Sequence, residues 1–528
     1  MNRKQFLKYV SWSTALSVTM PSLVYCSSNA NTNAKGNEPD PDFIPDLDIE
    51  LTSVPDSMGI MPGRLTDIYR YEARIIHGES DKVVQLPDSY PGPVIRIRKG
   101  EKVRVRYKNA LSQESIIHWH GLHIAPEMDG HPMYAVQKGE QYIYEFEVNN
   151  PPGTYWFHPH PDKITGPQVY YGLAGLFIVE DAAEMLPRRE NDIPVIIQDR
   201  MFDDDNQLVY IRNNQMSQIQ GFLGDEILIN GKTSGSAKVN RTAYRLRLLN
   251  GSNSRIYKLA WSDNSGITVI GTDGGLLERP VNKPYLMLAP GERVEVWKDF
   301  SSYDAGSELV LKSLAFNDGS NMGMGRMGGM MGNRGMQSGS VPNGQTMELM
   351  QFTVNNTKSE PGSLPGTLTN LNRIDPDEAS NAGSPRKFHF FNDHMQWVIN
   401  GETFQMHEVA DWEKVQAGTT EIWEFINGND GSGMGMMQNM MQMPHPVHIH
   451  GFSFRIIERD ISGMDAGVWS TVKDGFVDEG LQDTFLLMPG MKVKILISFE
   501  DFTGKYIYHC HNLEHEDMGM MRNFEIID

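Results

Sequence analysis

Cysteine is almost absent from this chain of 528 residues, which carries two, Cys26 and Cys510. Disulfide stapling is thereby excluded for the folded body, and Cys510 stands alone in it. Basic residues are in deficit, 47 Lys and Arg against 67 Asp and Glu, for a formal charge of −20. That balance argues against a nucleic-acid partner and favours attraction of cations. Long apolar runs are missing too. The N-terminal stretch after Asn2-Arg3-Lys4 ends near Cys26, which is too short to stay in a bilayer and has the anatomy of an export signal.

Helical periodicity is scarce, and alternating runs take its place: Val94-Ile95-Arg96-Ile97-Arg98, Lys102 to Tyr107, Arg245 to Leu249 and Lys492 to Ile497. Apolar and polar residues at period two, bounded by Gly, Pro and Asn, predict half-buried strands and an all-β fold. A length of 528 residues exceeds what one core can fill, and about three domains are expected.

Histidine is where the chain concentrates its chemistry. Four windows, 118–123, 158–160, 445–450 and 509–515, hold eleven of the 16 histidines, where simple proportion would place less than one. A lone His-x-His is often one face of a strand. A cysteine between two histidines, His509-Cys510-His511, followed by His515 and Met520, is far more specific. Thiolate, imidazole and a distant thioether are the ligands of an electron-transferring copper. On an extended segment His509 and His511 point away from Cys510, so they should serve a second metal centre. His77, His123, His131, His389, His394 and His407 fall outside this pattern and read as ordinary structural residues.

With these motifs in this order, the chain resembles the multicopper oxidases, the family that includes laccases and bacterial cuprous (copper-efflux) oxidases. The resemblance implies three cupredoxin-like Greek-key β-barrel domains, at 41–185, 186–357 and 385–528, with 358–384 as a linker. It implies four copper ions. The type 1 copper would take His445, Cys510, His515 and axial Met520; the type 2 copper His118 and His448. One type 3 copper would take His120, His158 and His511, and the other His160, His450 and His509. Ligands come from the first and third domains, so the trinuclear site should lie between them, with the middle domain acting mainly as a spacer and substrate wall. Asp129 and Glu516 are expected as proton relays near the metals. O2 and a small reductant are the expected partners of a monomer.

Methionine is the other excess, 32 residues with two dense stretches. One, within 321–337, holds Met322, Met324, Met327, Met330, Met331 and Met336; the other, within 434–443, holds Met434, Met436, Met437, Met440, Met441 and Met443. Thioethers suit Cu(I), and the second stretch ends just before His445. Glycine around them argues against core filling, so a Cu(I) substrate site and a role in copper tolerance are expected. The alternatives are a laccase-like oxidase of phenols or aromatic amines and, from another class, a non-catalytic copper store or envelope scaffold. Residues 1–26 are expected to direct export, by a twin-arginine-like or lipoprotein-type signal with a lipid anchor at Cys26. Residues 27–40 are expected to form a flexible tether, and the export signal leads us to expect the enzyme in the periplasm or cell envelope.

Overall fold

Each alternating run becomes a strand: Val94–Arg98, Lys102–Asn109, Ala243–Asn250 and Lys492–Phe499. The computed structural model describes residues 38–528 apart from 183, 212–214, 234, 321–340, 359–361 and 429–440. Cys26, the Met residues of 321–337, and Met434, Met436, Met437 and Met440 lie outside the described residues. Among the described residues no helix is long and apolar enough to cross a membrane.

Six sheets pair into three successive sandwiches. The first has four- and five-stranded sheets between residues 47 and 180, the second six- and five-stranded sheets between 192 and 358, and the third two five-stranded sheets between 386 and 527. Parallel pairings inside otherwise antiparallel sheets, Leu47–Met58 with Lys102–Asn109 and Arg386–Asp393 with Thr419–Asn427, mark chain crossovers between the sheets of one sandwich. Each sandwich encloses its own apolar core. Trp119, Phe157 and Phe177 help fill the first, Trp261 and Phe352 the second, Trp423, Phe425 and Phe485 the third.

Two strands depart from the half-buried expectation for a physical reason. Ala243–Asn250 is buried at every position, including Arg245 and Arg247. The polar side of this strand faces protein, and its arginines are paired there. Arg247 donates to Asp192 at 2.6 Å and Glu295 at 2.8 Å, and its Nη1 also reaches Thr154 Oγ1 of the first sandwich at 2.8 Å. Arg245 pairs with Glu295 and Glu184. Alternation signals two distinct faces; it does not say that the polar one meets water. Val94–Arg98 is likewise mostly buried, with Arg96 bonded to Glu180 and Asp192.

Candidate metal centre

Strand register assembles the site. His445–Ile449 pairs antiparallel with Gly504–Cys510 so that His448 lies opposite His509 and Val447 opposite Cys510. In the first sandwich, Ile117–His118 pairs with Gly153–Pro159 and sets His118 opposite His158. Side-chain alternation then sends Cys510 into the core of the third sandwich and His509 and His511 out of it.

Inside that core, Cys510 Sγ lies 3.4 Å from His445 Nδ1 and 3.6 Å from His515 Nδ1. The helix Leu513–Asp517, capped by Asn512, swings His515 back toward the cysteine, and Cys510 N donates to Met520 O at 3.0 Å to close the loop. Met520 is fully buried in the same apolar cluster as Cys510. His515 Nε2 donates to Ile219 O at 2.8 Å, which leaves the Nδ1 lone pair facing the sulfur. Burial pushes the Cys510 thiol up, so a thiolate there needs a cation beside it. Trp397, which nothing in the sequence singled out, has its ring 5.0 Å from that of His445 and 4.6 Å from that of His515. Its indole N–H shares the Ile219 carbonyl.

Behind this core, the first and third sandwiches bring eight histidines together, all buried: His118, His120, His158, His160, His448, His450, His509 and His511. Their tautomers follow from what their outer nitrogens touch. His118 Nδ1 donates to Asp129 O and His448 Nδ1 to Asp483 O, each at 2.8 Å, because a carbonyl only accepts. The two Nε2 lone pairs therefore face each other at 3.2 Å. By the same reasoning His158, bonded through Nδ1 to Pro159 O, turns Nε2 toward His120 Nδ1 at 3.4 Å. His509, bonded to Cys510 O, turns Nε2 toward His160 Nε2 at 3.5 Å. Apposed lone pairs repel unless a cation sits among them. His450 Nε2 and both ring nitrogens of His511 are buried without any partner. Burial disfavours the charged form of His120, His158, His160, His450 and His511, and lowers His448 to about 4 and His509 to about 3; His515, beside Cys510, is lowered to about 3 as well. The donor set therefore fits soft or borderline transition-metal ions.

The acids are close to these rings. Asp129 Oδ2 accepts from His450 Nδ1 at 2.7 Å. Glu516 sits 3.5 Å from His160 Nε2 and 3.2 Å from His509 Nδ1, its pKa raised by burial and partly offset by His160. A third carboxylate escaped the sequence reading. Asp483 Oδ1 is 3.0 Å from His120 Nε2, and Thr484 Oγ1 is 3.1 Å from His120 Nε2. The one sequence signal was its place between the third sandwich's histidine motifs, in a run without metal-ligand spacing. Glu514 and Asp517 flank His515 and tie the helix to the other two sandwiches. Glu514 accepts from Tyr210, Phe222 N, Asn253 and Ser254; Asp517 accepts from Thr165 N and Gly166 N.

Two expectations need correction. The middle sandwich is more than a spacer, because the Ile219 carbonyl and Arg293 both enter the shell of these sites. Met443 does fill core: it is buried in the Cys510 cluster, and Met441 packs on that cluster's edge. The glycine-rich stretch lies before these two residues, and Met443 O is held by Asn427 Nδ2 at 2.7 Å. His123 Nδ1 lies 2.7 Å from Gly451 O and His131 Nε2 lies 2.9 Å from Asn523 Oδ1.

Multicopper oxidase family models match residues 68–184 and 369–528. A Staphylococcus epidermidis multicopper oxidase is 31% identical over 438 residues, 82% of each chain. This chain belongs to the multicopper oxidases. The structure of the McoA multicopper oxidase of Aquifex aeolicus has TM-score 0.72 and 32% identity, over 92% of this chain and 97% of that one. A Campylobacter jejuni multicopper oxidase described as a metallo-oxidase has TM-score 0.70 and 25% identity, over 91% of both chains. The three sandwiches are the family's cupredoxin-like domains, copper is the cofactor, and the reaction class is oxidation of a donor with O2.

Proposed function

We propose that this multicopper oxidase takes its electrons from Cu(I) and serves copper tolerance in the cell envelope, as an exported monomer. The reading is carried by the placement of Met441, four residues before His445 and partly buried on the edge of the apolar cluster that contains Cys510. The metallo-oxidase description of the Campylobacter jejuni relative supports it. Four coppers are assigned, with His445, Cys510, His515 and Met520 holding one. His118 and His448 hold the second, His120, His158 and His511 the third, and His160, His450 and His509 the fourth. Copper bound at these residues supplies one-electron acceptance at the cysteine and four-electron reduction of O2 to water at the histidine nest.

The protein's own part is placement, exclusion of water and proton supply. The buried shell of Trp397, Phe390 and Met520 keeps solvent from Cys510. The backbone joins Cys510 to His509 and His511 and so offers a short covalent path for the electron. Asp129, which accepts from His450, and Glu516, beside His160 and His509, are placed to relay protons to the nest.

The test is a pair of donors. Deleting 321–337 and replacing the methionines of 434–443 should lower Cu(I) oxidation at least tenfold while oxidation of a bulky phenol is unchanged or faster. Equal losses for both donors would reject Cu(I) as the preferred reductant.

A further inference from the structure

The second sandwich supplies none of the assigned ligands, yet one of its side chains reaches the nest from behind. Arg293 is fully buried and every one of its five side-chain N–H groups finds an acceptor. Nε donates to Thr154 O at 3.0 Å, Nη1 to Gly291 O at 3.1 Å and Asp483 Oδ1 at 2.7 Å, and Nη2 to Asp273 O at 3.0 Å and Asp483 Oδ2 at 2.6 Å. These acceptors belong to all three sandwiches. Asp273 completes the frame: Oδ1 accepts from Arg293 N at 2.7 Å and Oδ2 from Thr484 N at 3.1 Å. The fit is close. Gly121, directly after His120, has φ +86°, and a Cβ on it would lie 2.3 Å from Asp483 Oδ2 and 2.7 Å from Arg293 Nη2.

We propose that Arg293 is a positioning residue for the histidine nest: its planar fork holds the Asp483 carboxylate as a fixed acceptor that keeps the proton of His120 on Nε2, and by anchoring that residue it steadies the Asp483 backbone carbonyl that accepts from His448 Nδ1. His120 Nδ1 and His448 Nε2 are then left bare toward the metal. The two histidines belong to different coppers in the assignment above, on which this inference rests, so one guanidinium bears on ligands of two metals, through the carboxylate at His120 and through the anchored backbone at His448. A bidentate fork does this where an ammonium would not, because it clamps both carboxylate oxygens and orients the plane of the acid. Arg293 thereby ties the metal shell to the packing of the three sandwiches.

The experiment uses the full chain loaded with copper. Arg293→Lys keeps the charge and loses the fork. Copper per chain, the visible band of the Cys510 site and the integrated type 2 against type 1 electron paramagnetic resonance signals are measured during titration with copper. We expect an unchanged Cys510 band, with copper affinity at the nest about 10- to 100-fold weaker and the type 2 signal depleted relative to type 1. An unaltered signal ratio and affinity would overturn the proposal, as would a parallel loss at both sites, which marks a residue that serves folding alone. Where Arg293→Lys yields no folded protein, Asp483→Asn decides by the same readouts. Its amide N–H must face a donor on Arg293 or His120, so selective depletion of the nest is expected and a wild-type ratio refutes. Absence of any type 2 signal in the unaltered protein would instead reject the ligand assignment itself.

Discussion

The Cys510 site and the histidine nest share a strand and are built from different materials. The cysteine and its two imidazoles all come from the third sandwich and sit in an apolar cluster with Trp397, Phe390 and Met520, where the Ile219 carbonyl of the second sandwich touches them. The nest draws its imidazoles from two sandwiches and wraps them in carbonyls and carboxylates, from Asp129, Asp483 and Glu516. An apolar shell makes ligand geometry a matter of packing. A polar shell makes it a matter of tautomers, since each outer acceptor decides which ring nitrogen is free. The first arrangement suits fast electron entry with little rearrangement, the second suits a reaction that must also take up protons.

The sharpest way to break this comparison is Cys510→Ser. The red-visible band and donor-driven O2 uptake should fall to background while the nest keeps its copper, read as a loss of about one copper per chain. Loss of all copper would show that the sites are one cooperative unit.

Acid should separate them next, in copper-free protein. His448 is lowered to about 4 and His509 and His515 to about 3, against an ordinary value near 6.5. The unfolded chain therefore binds protons that the native chain refuses, and stability falls as pH drops from about 6.5 toward 3. Seven lowered imidazoles crowd the nest against two beside Cys510, so the seam between the first and third sandwiches should open first. Denaturant midpoints against pH measure the first effect and hydrogen exchange in the two sandwiches the second. A midpoint flat over that range contradicts it. Bound copper should suppress the loss, because it competes with protons for the same lone pairs.

A smaller effect tests the polar shell alone. Asp129→Ala removes the acceptor of His450 Nδ1 and should cost about 10- to 100-fold in nest copper affinity or O2 reduction, with the Cys510 band intact. A shifted band would mean that the two shells are not independent.

Much of this was legible beforehand. The strand register places His448 opposite His509 and His118 opposite His158, and period-two alternation alone implied that Cys510 and its neighbours face different centres. Asp129 and Glu516 were expected because the family resemblance points to them. Asp483, Arg293 and Trp397 were not, because each reaches the site through space from a segment whose own pattern is that of a plain strand. The arginines of Ala243–Asn250 misled for a related reason: alternation read as exposure, while another sandwich covers that face.

By itself the sequence determined the ligand types, their order and the two-sided division of the His509-Cys510-His511 segment, since these depend on local chain geometry and on the softness of sulfur and nitrogen donors. Which nitrogen of each imidazole is bare, and that the ligand-free middle sandwich helps to decide it, came only with the tertiary structure. For His120, His450 and His515 the tautomer is set by acceptors 363, 321 and 296 residues away, at Asp483, Asp129 and Ile219, and only the packing of the sandwiches on one another brings those acceptors within hydrogen-bond distance.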